Sequence, residues 1–162
     1  MSTQMNAEAL AAHAVHGEIE LFVTMRIDQQ LFGVPVRFVR DVLRRQHITQ
    51  IPLAPSEVAG SLNLRGRIVT VIDLRERLRL PKKDAAASGG MFVVVEQRGE
   101  LYSLMVDNVG EVMTVPAGAI EKTPANLGAS WTDVASGIYK LDGELLVIMD
   151  IEALLIVKTK AE

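Results

Sequence analysis

The chain has 162 residues, 49% hydrophobic and 23% charged, with a formal net charge of −3. That length suits one ordinary domain or two very small ones, with a core that buries roughly two thirds of the unfolded surface. Interspersed charges exclude a broad basic face for nucleic acid or anionic membrane; the absence of cysteine excludes disulfides and thiolate chemistry, and no apolar run is long enough for a transmembrane helix.

Residues 1–18 are rich in Ala, include His13 and His16, and read as a flexible tail without the basic and apolar regions of a secretory signal. A cytoplasmic location is expected. Residues 21–27 read as a strand, 28–30 as a turn, and 31–36 as the returning strand of a hairpin. Phe38, Val39, Val42 and Leu43 fit either a single helical turn or a bulged strand, since their spacing does not choose between the two. Ile51-Pro52-Leu53-Ala54-Pro55 is an extended connection, because two prolines remove donors and fix φ. Ser56 is placed to cap a short turn over residues 57–59.

Residues 60–64 form the next strand, Arg65-Gly66-Arg67 a tight turn, and 68–74 a return strand whose apolar run predicts a central, buried position. Asp73 caps a helical turn that reaches Leu78. Residues 81–90 are the linker, small and polar with two glycines at its end. Strand, turn and strand then recur at 91–96, 97–100 and 101–106, followed by Val109, Val112 and Val115. A Pro-punctuated connection spans 116–124, and 125–134 reads as a surface loop. Residues 136–141 and 144–149 flank the Asp142-Gly143 turn, a strong hairpin signal, and 150–155 repeat the short terminal helix.

The two halves carry one pattern. Leu31–Val36 aligns with Leu101–Val106 at an offset of 70, which sets Val39, Asp41 and Val42 against Val109, Glu111 and Val112. Leu64, Gly66 and Asp73 align with Leu141, Gly143 and Asp150 at an offset of 77. A repeat of that length is too long for a solenoid unit and indicates two copies of a small β domain. Branched aliphatics dominate and aromatics make up only 4%, which favours sheet. The fold class is therefore mainly β: two SH3-like five-stranded β-barrels packed side by side, with short helices. The first barrel is assigned to 19–80, the second to 91–157, and 158–162 to a C-terminal tail.

Catalytic chemistry is poorly supplied. His13 and His16 share a spacing that suits a metal, but no third ligand lies near them and a solvated tail is the preferred reading. His47 stands among Arg44, Arg45 and Gln46 with no visible partner for general-base work. No phosphate loop, nucleophile elbow or paired-carboxylate spacing is found. No cofactor or metal is expected, and the chain reads as a binding module rather than an enzyme. Gly66 and Gly143 are explained by their turns, and Asp73 and Asp150 by capping. Arg65 is different, because the repeat does not require a cation there; it reads as either a solvated turn residue or a guanidinium that meets a partner or Asp41.

Three segments carry a family resemblance: Asn-Leu-Arg-Gly-Arg-Ile-Val-Thr-Val-Ile-Asp-Leu-Arg at 63–75, Met-Val-Asp-Asn-Val-Gly-Glu-Val at 105–112, and Gly-Ile-Tyr-Lys-Leu-Asp-Gly-Glu-Leu-Leu-Val-Ile-Met-Asp-Ile-Glu-Ala-Leu-Leu at 137–155. From Glu20 to Leu155 the chain resembles the CheW-like adaptor proteins of bacterial chemotaxis. The resemblance implies two intertwined β-barrel subdomains. It also implies a scaffold that joins a methyl-accepting chemoreceptor to the regulatory domain of the histidine kinase CheA, in the cytoplasm and recruited to membrane-associated receptor arrays. Carried over by position, the receptor groove falls at Val39, Asp41 and Val42, with Gly60, Arg65 and Ser103 lining the crevice. The family usually has Glu at the place of Asp41 and Gly at the place of Ser103. The kinase-facing surface is expected on the first barrel at Pro55, Glu57, Val58 and Ala59. Arg37, Arg40, Arg44 and Arg45 form an arginine-rich patch heavier than the family pattern implies. Alternatives are an adaptor of a pilus-type or other chemosensory pathway, or a fragment of the CheA regulatory domain. The second is disfavoured because no kinase ATP motif precedes the fold and the chain is expected to begin and end around it.

Overall fold

The computed structural model describes residues 18–81, 90–124 and 130–156. Most of the expected N-terminal tail (with His13 and His16), nearly all of the linker, the C-terminal tail and the first half of the 125–134 loop lie outside that set.

Ten strands dominate: β1 (Ile19–Ile27), β2 (Gln30–Pro35), β3 (Val39–Arg44), β4 (Val58–Leu64), β5 (Arg67–Asp73), β6 (Met91–Gln97), β7 (Glu100–Val106), β8 (Asn108–Pro116), β9 (Ala135–Leu141) and β10 (Glu144–Met149). They form two five-stranded sheets, in the orders β8-β1-β2-β10-β9 and β3-β6-β7-β5-β4. The fold is mainly β, as expected.

Neither sheet is built from one repeat. Each repeat places its first hairpin in one sheet and its last three strands in the other. The expectation of one barrel at 19–80 and another at 91–157 is corrected accordingly: the halves of the sequence are exchanged between the sheets. Four pairings join the repeats: the antiparallel β1 with β8 and β3 with β6, and two parallel ones, β2 with β10 (Leu31↔Leu146 to Gly33↔Ile148) and β5 with β7 (Thr70↔Tyr102 to Asp73↔Met105). Every other strand pairing is antiparallel. The strands also correspond in space, since β8, β1, β2, β10 and β9 occupy the places of β3, β6, β7, β5 and β4.

Both faces of the inner strands are covered, which explains the apolar runs. One cluster, with Met25, Ile27, Phe32, Val34, Ile72, Val93, Val95 and Leu104, joins the two sheets. A second, with Leu62, Val69, Val71, Phe92 and Val94, lies on the other face of the sheet that contains β5. A third, with Phe22, Leu31, Val115, Leu146 and Ile148, does the same for the sheet that contains β10. Each fully buried aliphatic of this size contributes about 1.5–3 kcal/mol by transfer from water. The run along β5 ends short of its prediction, however. Val69, Val71 and Ile72 are fully buried, but Ile68 remains 68% exposed, beyond the reach of the opposite sheet.

The termini of the repeats are fixed by polar contacts. Asp73 caps the helical turn Leu74–Arg77 by accepting from the Arg75 and Glu76 amides, and Asp150 caps Ile151–Leu154 by accepting from the Ala153 amide. Arg77 donates to the carbonyls of Leu154 (3.0 Å) and Ala153 (2.9 Å), tying one terminal helix to the other. Arg75 grips Asp107 through Nε (3.2 Å) and Nη2 (2.6 Å), donates to the Pro81 carbonyl and stands 3.5 Å from Asp28, whose own amide donates to Asp107. Its pKa is held above the ordinary value, mainly by the hydrogen bond to Asp107. Both partners are nearly buried, so this cluster binds the β1–β2 turn, the end of β7 and the helix after β5 into one corner.

Two local expectations change. Ser56 does not start a helical turn; the chain passes through turns into β4 at Val58, because Glu57 is held by its carbonyl bond to the Asp73 amide (2.8 Å). The later part of the expected surface loop is a 3-10 turn at Ser130–Val134, anchored by fully buried Val134 and by its carbonyl, which accepts from the Asp150 amide.

The exchange of strands predicts that residues 1–80 expressed alone are unfolded by far-UV circular dichroism, and that sheet signal returns only when residues 81–162 are added. A folded 1–80 fragment would contradict it. Arg75→Met removes the hydrogen bonds from Arg75 to Asp107 and to the Pro81 carbonyl and is expected to cost about 3 kcal/mol in urea unfolding.

Candidate partner-binding surfaces

The first surface is built on the edge strand β3. A 3-10 turn at Val36–Phe38 precedes it, and the register then slips: Val39 faces Val95 while Asp41 faces Val94. Arg40 is the extra residue of this bulge, so both sequence readings of the region are partly right. The bulge has a geometric consequence. Val39 and Val42, three residues apart, both stand opposite members of the cluster between the sheets, Val95 and Val93. Val39 is half-buried and Val42 is 37% exposed, which leaves an apolar strip at the rim of that cluster.

Asp41 points to the other face of the sheet, in a cross-strand row that runs Asp41, Val94, Ser103, Val71, Gly60. Three of the expected site residues are thus brought into one line by strand pairing alone. Arg65 joins them from the β4–β5 turn. Both residues of that turn have positive φ, 52° at Arg65 and 86° at Gly66, and the Asn63 side chain accepts from the Gly66 amide. Gly66 accommodates the conformation without strain, and Arg65 is projected outward. Its Nη2 reaches Asp41 at 2.9 Å, so the shorter acid does span the distance. Because β3 and β4 are the two edges of this sheet, the ion pair links its first strand to its last. The Asp41 carboxylate also accepts from the Val42 amide, which fixes it in place.

Gly60 and Ser103 differ from their expected role as lining residues. Ser103 is fully buried, and its hydroxyl has no hydrogen-bond partner among the described residues. Gly60 is buried too, and a Cβ there would stand 2.4 Å from the Thr49 carbonyl oxygen. Their side of the sheet faces the second cluster, that of Val71 and Val94, so they shape the wall behind Asp41 and offer no side chain to a partner.

The second expected surface lies at Pro55, Glu57, Val58 and Ala59. Pro55 and Glu57 line an open cleft of about 690 Å³ together with Arg77, Arg79, Leu80 and Ile156. Val58 packs against the cluster between the sheets and Ala59 against the second cluster, so neither stands free. Leu53, 94% exposed at a φ of 64°, is the prominent apolar side chain of this region, and Ile156 is 65% exposed. Sequence reading missed both. The available signal was the Pro52–Pro55 bracket, which keeps Leu53 from folding back into a ladder. His47 is exposed, and among the described residues no group of three His, Asp or Glu side chains is arranged to hold a metal. No helix among them is long and apolar enough to cross a membrane.

A family model described as the CheW-like domain matches residues 21–158. A probable chemotaxis protein CheW from Rhizobium etli is 31% identical over 138 residues, covering 85% of this chain and 88% of that protein. The chemotaxis protein CheW of Bacillus subtilis is 29% identical over 137 residues, 84% of this chain and 86% of its own. Among solved structures, the scaffolding protein TtCheW from Thermoanaerobacter tengcongensis is similar with a TM-score of 0.79 at 30% identity, over 90% of this chain and 98% of that one.

The exposed Arg65–Asp41 pair and the buried glycine should differ sharply in urea unfolding. Arg65→Ala is expected to cost less than about 1 kcal/mol, whereas Gly60→Ala forces backbone against backbone and should cost about 2 kcal/mol or more.

Proposed function

This chain belongs to the CheW-like family, and from that membership we propose that it is a non-catalytic adaptor of chemotaxis signalling. It couples a methyl-accepting chemoreceptor to the regulatory domain of the histidine kinase CheA, in the cytoplasm, at receptor arrays. The observation that carries the reading is the half-exposed strip of Val39 and Val42 on one face of an edge strand, with a guanidinium held outward by Asp41 on the other. Exposed apolar residues framed by charge are what a protein interface requires, with a few anchors dominating the energy. Asp41 holds Arg65, and Gly60 and Ser103 keep the wall behind them thin.

The kinase surface is assigned to the separate region around Pro55 and Glu57, with Val58 and Ala59 supporting it from beneath. Two surfaces on one rigid body allow two partners to be held at once, which is the physical content of coupling. Enzymatic turnover would need a reactive group in a pocket. The cleft beside Glu57 is lined by Arg77 and Arg79 together with the apolar Pro55, Leu80 and Ile156.

Val39→Asp places a carboxylate on the apolar strip and is expected to weaken capture of a chemoreceptor cytoplasmic fragment at least tenfold, with the thermal midpoint nearly unchanged and kinase binding retained. Arg65→Ala should weaken receptor capture less severely. Glu57→Arg should reduce binding of the CheA regulatory domain and leave receptor capture intact. Receptor binding unaffected by both groove variants would reject the assignment.

A further inference from the structure

Arg37, Arg40, Arg44 and Arg45 fall within nine residues of a chain whose net charge is −3. Ion pairing accounts for part of this patch. Arg40 is held by Glu96 at 2.9 Å, Arg65 by Asp41 at 2.9 Å, and Arg37 lies 3.9 Å from Glu20 while it stacks over the Phe38 ring. Arg44 is exposed and has no ion-pair partner among the described residues.

Its place on the strand gives it meaning. Across the bulge, Val39, Val42 and Arg44 face Val95, Val93 and Met91, alternate residues of β6, so all three project to one side of β3. That side is the apolar strip already described, with Arg44 at its end. An acidic chain has kept uncompensated positive charge at the rim of its exposed apolar strip.

We infer that this rim selects a protein segment in which an apolar side chain is flanked by Asp or Glu. The inference rests on the reading of the β3 strip as a docking groove and adds the chemistry of the partner. The apolar side chain covers Val42, and a flanking carboxylate meets Arg44. A polyanion such as nucleic acid fits less well. It gains nothing from Val42, and one unpaired arginine beside an apolar strip is not the broad basic face a line of phosphates requires. Charge complementarity of this exposed kind acts mainly on specificity and on association rate.

The test uses the full chain and three fluorescein-labelled probes: a helical peptide with Leu residues flanked by Glu, the same peptide with Lys for Glu, and a single-stranded oligonucleotide. The Leu–Glu peptide is expected to bind, the Lys version and the oligonucleotide not. Arg44→Glu, which keeps the fold by circular dichroism, should weaken the Leu–Glu peptide about fivefold, and Val42→Asp should abolish its binding. Raising salt from about 0.05 to about 0.3 M should weaken the wild type more than Arg44→Glu. Failure of the Leu–Glu peptide to bind, equal binding of the Lys version, or oligonucleotide binding that survives Val42→Asp would each overturn the inference. A chemoreceptor fragment whose binding needs Val39 but ignores both Arg44→Glu and salt would remove this inference and leave the adaptor reading intact.

Discussion

The structure depends on its two parallel strand pairings. β2 lies against β10 and β5 against β7, and each pairing joins a strand of one repeat to a strand of the other. Neither repeat can complete a sheet alone, so the hydrophobic clusters form only when both halves are present. Such non-local pairing is slow to form, since the loop entropy is spent before the contacts are made. In return, the two sheets cannot separate without dismantling one another. That is a useful property for a body that must hold two partners in a fixed relation.

The edges of the sheets are where the chain meets other molecules. Central strands have both faces covered, and their side chains are spoken for by the three apolar clusters. β3 has one neighbour only, and its bulge turns Val39 and Val42 to the same side, where the cluster between the sheets runs out. An uncovered edge invites indiscriminate pairing. Here arginines and a bulge guard it, which limits what can dock while leaving the apolar strip accessible. The same logic places Leu53 outside: a proline on either side denies that segment a place in a ladder.

The ion pairs divide by burial. Arg75 and Asp107 are mostly buried, and loss of Arg75 removes several charge-assisted hydrogen bonds at the corner where both sheets meet. Arg65 and Asp41 are largely solvated on the arginine side, so their pairing contributes little to stability and serves to orient a guanidinium. Arg26 and Glu144 form a third pair, bidentate but half-exposed, in which the arginine holds the carboxylate pKa below its usual value through hydrogen bonding. Three pairs of similar length thus have three different weights, set by how much water each one retains.

Much of this was legible in the chain itself. Alternating and continuous apolar runs located the strands, Asp142-Gly143 and Arg65-Gly66 marked hairpins, and Asp73 and Asp150 marked helical turns, because these are local effects of sterics and hydrogen bonding. The 70- and 77-residue offsets revealed the repeat. Sequence could not tell which copy each strand would join, since the apolar faces of β5 and β10 are equivalent partners for β2 and β7. Nor could it tell that Gly60 and Ser103 face inward, that Ile68 escapes burial, or that Asp41 and Arg65 meet across the sheet's edges. Local chemistry determined the elements and the residue types at the site; only the packing of the two sheets decided which of those residues face water, because exposure belongs to the whole assembly of strands and not to any one of them.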